Sequence, residues 1–168
     1  TMGGLGMMPT NGELQIRVGD ELRPDEGYRS RIDKKTEEAP LGYYKVYMTD
    51  TKIWVENTAT TRASFQRYTF PKDKDGRVMI DLQIPTEYDY KLMDVEIKKI
   101  SDYRIEGYSH QLSPRPNVWS GDADQEYVVN FVIEFDTPIK SVGGWVEDKV
   151  LNRDHIEGKD LKYAGLYV

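Results

Sequence analysis

The sequence predicts an all-β protein built as an antiparallel two-sheet β-sandwich. Three observations carry that expectation. Aromatic, β-branched and other apolar residues recur at every second position in about ten separate runs, turn residues interrupt those runs about every ten positions, and no segment sustains a helical period. Residues 1–168 are expected to form a single sandwich domain.

Residues 41–71 hold three of the runs. Tyr44, Val46 and Met48 alternate with Tyr43, Lys45 and Tyr47; Ile53, Val55 and Asn57 with Trp54, Glu56 and Thr58; Ala63, Phe65 and Arg67 with Ser64, Gln66 and Tyr68. This is the pattern of strands with one buried face. The connections at 49–52 and 59–62 are short enough for hairpins, so three sequential antiparallel strands are expected. Before them, Leu14, Ile16 and Val18 alternate with Glu13, Gln15 and Arg17, which predicts a strand over 13–18, ended by the turn-rich segment 19–27. The glycine-rich opening 1–6 lacks the Lys-Ser/Thr end of a nucleotide loop and no helical pattern follows it, so it reads as a plain loop.

Downstream, 72–77 read as a hairpin-like turn, and Val78, Ile80 and Leu82 supply the next strand, which Pro85 stops. Met93, Val95 and Ile97 alternate with Asp94, Glu96 and Lys98, and 103–108 follow as a partner strand. A helix can be drawn through Leu92, Val95 and Lys99, but the β-branched alternation decides for a strand. Residues 109–125 show no period and read as the longest loop. In 126–135, Tyr127, Val129, Phe131, Ile133 and Phe135 share one face and Val128 and Val132 lie on the other, so burial on both sides and a central place in the sheet are expected. Two more strands are expected, at 139–146, where Gly143 and Gly144 mark an end or a bulge, and at 161–168. The polar stretch 148–159 reads as a loop.

Composition narrows the function classes. A chain of 168 residues buries about two-thirds of its unfolded surface without staples. It has no cysteine, so neither a disulfide framework nor a thiolate metal site is available, a state compatible with any compartment. A net charge of −6, a pI near 5.0 and dispersed basic residues argue against a nucleic-acid partner. No apolar run approaches the ~20 residues of a membrane span, and the first residues do not read as a signal peptide. A chain that opens on Thr1 is expected to be a fragment or a processed product.

Several segments in fixed order carry a resemblance. They are Met8-Pro9-Thr10-Asn11-Gly12-Glu13-Leu14, then Arg29-Ser30-Arg31, then Glu37-Glu38-Ala39-Pro40 with Gly42-Tyr43-Tyr44-Lys45-Val46-Tyr47-Met48. Glu56-Asn57-Thr58-Ala59-Thr60-Thr61-Arg62 and Phe65-Gln66-Arg67-Tyr68-Thr69-Phe70-Pro71 complete the set. In this order they resemble the N-terminal domain of the family-92 glycoside hydrolases, which are exo-acting, calcium-dependent α-mannosidases. The resemblance covers roughly the first half of the chain and is looser beyond Asp81. It implies a supersandwich-like β-sandwich, in agreement with the period-two reading.

The resemblance also implies an activity. The intact enzyme would be an α-1,2-mannosidase-type hydrolase that removes terminal mannose from glycans with inversion. One carboxylic acid protonates the leaving oxygen while a carboxylate base, about 6.5–9.5 Å away, activates water across the ring. In the family the acid, the base and the calcium ligands lie mainly in a helical-barrel domain that follows the sandwich. These residues are therefore expected to be a fragment of the N-terminal domain, with no catalytic residue or metal ligand of their own and no activity alone. Calcium would be the cofactor of the intact enzyme, the barrel domain and a mannose-containing glycan its partners, and a secreted or periplasmic location its setting. The segment upstream of Met8-Pro9-Thr10 borders the sugar pocket in the family, so the resemblance implies Thr1, Met2, Gly3 and Gly4 as substrate-binding residues.

Other residues are weighed on their own chemistry. Arg29, Ser30 and Arg31 with Glu37 and Glu38 offer an anion or sugar-hydroxyl clamp, but a solvated strand and loop with surface pairs worth ~0–1 kcal/mol is the preferred reading. Arg67, flanked by Phe65 and Phe70, must point outward or meet a partner, and a structural arginine bridging strands is preferred. Asp122, Asp124 and Glu126 have the opening spacing of a calcium loop, but Tyr127 and Ile133 stand where Gly and Glu are needed. Trp119 offers a flat face for a sugar, with a sheet-edge cover preferred, and His110 reads as structural. The competing function is a free-standing carbohydrate-binding or protein-interaction sandwich. Open sheet edges lead to the further expectation of self-association.

Overall fold

The computed structural model describes residues 5–20, 22–23, 25–83, 90–115 and 121–168. Among them, the first strands are β1 (Gly6–Asn11), β2 (Ile32–Glu38), β3 (Tyr43–Met48), β4 (Ile53–Ala59), β5 (Ser64–Thr69) and β6 (Gly76–Asp81). The long strands β7 (Lys91–Ser101), β8 (Arg104–Ser113) and β9 (Gln125–Glu134) follow, then β10 (Gly143–Val146), β11 (Lys149–Leu151), β12 (His155–Leu161) and β13 (Ala164–Tyr167). No helix occurs among the described residues, so none is long and apolar enough to cross a membrane. The chain is all-β, as its alternation predicts, with three antiparallel sheets. It divides into two compact units, Met8–Arg77 and Val78–Val168, the latter joined by the described residues before Met8.

The Met8–Arg77 unit holds the sheet β2-β3-β4-β5. The expected three-stranded meander is present, with Val46 opposite Val55 and Met48 opposite Ile53. These four residues are buried, and Met8, Ile32, Tyr44, Tyr68 and Phe70 pack on them. The opposite face is polar and aromatic: the Tyr47 and Trp54 rings lie 5.1 Å apart, and Lys45 sits 5.0 Å over the Trp54 ring. Arg67 reaches Glu56 on the neighbouring strand at 3.6 Å, which is the bridging role expected of it.

Two local expectations fail here. The segment 13–18 is irregular, and the strand forms earlier, as β1, which starts at the last residue of the glycine-rich opening and runs through residues for which no strand is expected. Arg17 and Val18 use their carbonyls to accept the Tyr28 and Arg29 N–H groups at 2.7 and 3.1 Å, which closes a loop instead of extending a ladder. β2 went unseen because IDKKTEE carries no apolar alternation. It is an edge strand whose register shifts between Asp33 and Glu38. There the Thr36 hydroxyl donates to the Asp33 carbonyl at 2.7 Å and accepts the Tyr47 N–H at 3.0 Å, standing in for the backbone.

The Val78–Val168 unit is a sandwich of one sheet that carries the order β6-β13-β10-β11 and a second, β12-β7-β8-β9. Its core joins Ile80, Leu82, Ala164 and Leu166 of the first sheet to Leu92, Val95, Ile97, Ile105, Ile133 and Ile156 of the second. Each of the Ile, Leu and Val side chains stabilises the fold by about 1.5–3 kcal/mol on burial. A polar cluster sits among them. Ser109 and Gln111, both on the inner face of β8 and fully buried, donate to the Leu82 carbonyl at 3.2 and 2.6 Å, and Gln111 Nε2 also donates to Ser109 Oγ at 2.9 Å. The carbonyl's two lone pairs are thereby filled from the opposite sheet.

That cluster accounts for the largest departure from expectation. β8 does not stop at Tyr108 but runs on to Ser113, because Ser109, Gln111 and Ser113 are inward positions occupied by polar residues. The aperiodic stretch 109–125 is therefore half strand. β9 is an edge strand and not a central one: its outward Val128 and Val132 are 52% and 53% exposed. Charged neighbours on that face, Glu126 and Glu134, keep it wet. β11 and β12 occupy the stretch read as loop, β12 pairing with β7 through alternating Ile156, Gly158 and polar outward residues. The turn after Pro71 leads β6 to pair with β13, not back to β5. Pro85 and Tyr88 lie outside the described residues.

Gly165 is the tightest contact in this core. A Cβ there would stand 2.2 Å from the Trp145 ring and 2.5 Å from the Ile80 carbonyl. Gly165→Ala is expected to lower unfolding free energy by about 1–3 kcal/mol through overpacking, read by urea denaturation. Unchanged stability would contradict this packing.

Candidate functional site

The most enclosed polar recess described lies wholly within the Met8–Arg77 unit and has a volume of about 250 Å³. The end of β1 supplies Thr10 and Asn11, the irregular segment after it Glu13 and Gln15, the closed loop Asp25, Gly27, Tyr28 and Arg29, and the β3–β4 turn Asp50 and Thr51. Backbone contact shapes the loop. A Cβ on Gly19 would meet the Glu26 carbonyl oxygen at 1.8 Å, and one on Gly27 would meet the Gly19 nitrogen at 2.4 Å, so the loop crosses itself where only glycine fits. Both glycines also have positive φ, 91° and 81°.

Arg31 locks the wall. Its Nη2 and Nε donate to Asp50 Oδ1 at 2.5 and 2.9 Å, and its backbone N–H donates to Asp50 Oδ2 at 2.6 Å. The same guanidinium reaches Asp25 at 3.2 Å. The Thr49 N–H closes the ring by donating to the Arg31 carbonyl at 2.9 Å. Across the cleft, Asn11 Nδ2 donates to the Thr51 carbonyl at 2.6 Å. The Thr10 and Thr51 hydroxyl oxygens are buried and make no hydrogen bond among the described residues.

The second recess, about 380 Å³, is a shallow depression on the outer face of β7, β8 and β9 in the other unit. Its carboxylates are held by cations. Glu96 is 3.1 Å from both Lys98 and His155, and Arg104 bridges Glu106 at 2.6 Å and Glu134 at 3.0 Å. The Lys98 hydrogen bond holds the Glu96 carboxyl below its usual range against a smaller opposing effect of burial. This is a solvated charged sheet face.

The structure sorts the sequence candidates. Arg29 and Arg31 do not meet Glu37 and Glu38: Glu37 pairs with Lys34 at 2.8 Å and accepts from Tyr44 at 2.8 Å, and Glu38 pairs with Lys45 at 3.3 Å. His110 Nε2 lies 2.7 Å from Glu126 Oε1, a link between the neighbouring strands β8 and β9 that takes Glu126 away from any calcium loop. Asp124 instead accepts the Arg115 N–H at 2.9 Å. No group of three Asp, Glu or His that could hold a metal occurs among the described residues. Thr1, Met2, Gly3, Gly4 and Trp119 lie outside the described residues. The cleft itself was missed as a site, although Met8-Pro9-Thr10-Asn11-Gly12-Glu13 and Arg29-Ser30-Arg31, two of the segments that carry the resemblance, meet at it.

The paired sheets of the Val78–Val168 unit define a β-sandwich, and comparison assigns the chain. The family model of the glycosyl hydrolase family 92 N-terminal domain matches residues 1–168, and the chain belongs to that family. Among solved structures, the family GH92 α-mannosidase BT3965 from Bacteroides thetaiotaomicron is 22% identical with a TM-score of 0.79, the match covering 99% of this chain and 24% of that one. The inverting family GH92 mannosidase BT2199 from Bacteroides thetaiotaomicron VPI-5482 is 19% identical with a TM-score of 0.69, covering 97% and 19%. The GH92 family glycosyl hydrolase ccman5 is 18% identical with a TM-score of 0.67, covering 98% and 21%. The chain thus spans about a quarter or less of these relatives, and likeness at this identity establishes the fold. No curated protein matches the chain.

The Arg31 contact sets a pH dependence. Hydrogen bonding from the Arg31 guanidinium, opposed by partial burial and aided by the Arg31 N–H, holds the Asp50 carboxyl below its usual 3.8. A carboxyl depressed in the native state stabilises the fold above its unfolded pKa and loses that contribution as pH falls through the lower native value. The melting temperature is therefore expected to fall as the pH drops below the ordinary carboxylate range, about pH 4, and Asp50→Asn to show a lower value at neutral pH with a flatter acid slope. Parallel acid slopes would contradict the role given to Asp50.

Proposed function

We propose that this chain is the β-sandwich part of an exo-acting α-mannosidase that removes terminal mannose from glycans with inversion. The observation that carries this reading is the family match over residues 1–168. The names of the structural neighbours, an α-mannosidase and an inverting mannosidase, support it. In the proposal, the acid, the base and a calcium site belong to a helical-barrel domain of the same polypeptide, and the sandwich serves as scaffold and pocket wall. An α-1,2 linkage preference and a secreted or periplasmic setting are further parts of the reading and derive from the family resemblance.

The electrostatics of the described residues support the division of labour. A glycosidase acid needs its pKa raised by an apolar or like-charged setting. Glu37, Asp50 and Glu96 are each held below the usual carboxylate range by a hydrogen-bonded cation, Lys34, Arg31 and Lys98 respectively. Such groups are anchors, poorly suited to deliver a proton at neutral pH.

The test is mannose release from α-1,2-mannobiose. The 168-residue chain alone is expected to give none. A polypeptide that includes the following helical-barrel segment is expected to turn over, to lose activity with a chelator, and to release the inverted anomer by NMR. Turnover by the sandwich alone, or a retained anomer from the longer polypeptide, would overturn the reading.

A further inference from the structure

We propose that two copies of this chain associate through β9, strand against strand, about a two-fold axis at Asn130. The pairing uses residues of the Val78–Val168 unit alone and does not depend on the function proposed above.

The first observation is an unguarded edge. β9 pairs with β8 on one side, and among the described residues no strand lies along its other side. It is ten residues long and contains no proline, and its outward Val128 and Val132 are half-exposed. The free N–H and C=O groups of such an edge template another strand, so folded proteins guard edges with short length, proline or outward charge. The opposite edge of the same sheet, β12, is guarded in this way, with His155, Glu157 and Lys159 along its outward face. On β9 only the ends, Glu126 and Glu134, carry charge.

The second observation is what this edge is complementary to. Read outward from Asn130 in both directions, β9 mirrors itself: Val129 with Phe131, Val128 with Val132, Tyr127 with Ile133, Glu126 with Glu134. Directly opposed residues of an antiparallel pair share a face, and faces alternate along a strand, so a two-fold pairing of β9 with itself must centre on a residue. Centring on Asn130 sets Val128 on Val132 and Val129 on Phe131, each twice. Moving the centre by one residue sets Val128 against Asn130 or against Glu134, a mismatch of apolar and polar groups. In the Asn130 register the exposed valines cover each other, and the two Asn130 amides, each both donor and acceptor, meet on the axis. Glu126 and Glu134 oppose each other at the ends, where each has a basic partner in its own copy, His110 at 2.7 Å and Arg104 at 3.0 Å. The assembly closes at two copies, because the resulting eight-stranded sheet ends on a guarded β12 at both sides. One strand pair makes a small interface, so the association is of the weak class.

The experiment joins sedimentation velocity of the 168-residue chain to oxidative crosslinking. The parent is expected to pass from monomer to dimer at tens to hundreds of micromolar and to stop there. Val132→Lys, at a half-exposed position beside Glu106, is expected to weaken the dimer about tenfold or more, since the axis sets a lysine on Val128 twice, while leaving the melting temperature unchanged. The chain has no cysteine, so Asn130→Cys gives each copy a single thiol. Opposed Cα atoms of an antiparallel pair stand about 4.5–5.5 Å apart, within disulfide range. Asn130→Cys is expected to oxidise to a covalent dimer about tenfold faster or more than Glu157→Cys on β12, and this readout decides the matter if Val132→Lys does not fold. Four results would overturn the pairing: a parent that stays monomeric, a dimer that Val132→Lys leaves intact, equal crosslinking of the two cysteine variants, or assemblies that grow past the dimer. A polypeptide extended by the helical-barrel segment is expected to crosslink through Asn130→Cys as well. Failure there would mean that its own added residues cover β9, and would also overturn the pairing.

Discussion

A single backbone carbonyl, that of Leu82, is the constraint on which the sandwich turns. It leaves its own sheet and is met across the core by Ser109 and Gln111 of the facing one, at 3.2 and 2.6 Å. An unmet carbonyl in that position would carry the penalty of a buried orphan, so the two sheets cannot slide against each other without breaking the cluster. The Leu82 N–H in turn donates to the Ala164 carbonyl at 3.1 Å, which ties the same residue into the ladder beside β13. Apolar burial supplies most of the stabilisation of this unit. The polar cluster supplies its register, since a slip of one residue would turn Ser109 and Gln111 to solvent and Tyr108 and His110 inward.

In the Met8–Arg77 unit a different device has the same purpose. The chain between β1 and β2 forms no named strand in spite of the Leu14-Ile16-Val18 alternation, and it is fixed at its ends. Gly19 and Gly27 cross in backbone contact, the Tyr28 and Arg29 N–H groups return to Arg17 and Val18, and Arg31 grips Asp50 in the β3–β4 turn. The cleft is what is left between those fixed points. Its position explains why segments far apart in the sequence, around Thr10 and around Arg29, travel together in the resemblance: each forms one side of the same recess.

The alternation of side chains made much of this fold legible. β3 and β4 were readable to within about a residue because their apolar and polar faces separate cleanly, β5 through its aromatic residues and the short connection before it, and β7 through Val95 and Ile97 despite a rival helical spacing. What escaped the pattern did so for identifiable reasons. Polar residues in the core hid the second half of β8, apolar residues on a wet edge made β9 look central, and β2 and β12 are edge strands with few apolar positions to mark them. The candidate site was less legible still. Its residues are ordinary Thr, Asn, Gln and Asp brought together by turns, and only the glycine-punctuated segment 19–27 hinted that the chain folds back there.

The most direct measurement of the central claim is the hydrogen-exchange rate of the Gln111 side-chain amide, followed by NMR in the intact chain. With both donors engaged by the Leu82 carbonyl and Ser109 Oγ in a dry core, its protons are predicted to exchange far more slowly than those of the exposed Gln66 side chain, with two well-separated resonances. Fast exchange matching Gln66 would mean that β8 does not run through the core to Ser113, and the account of how the two sheets are held would be wrong.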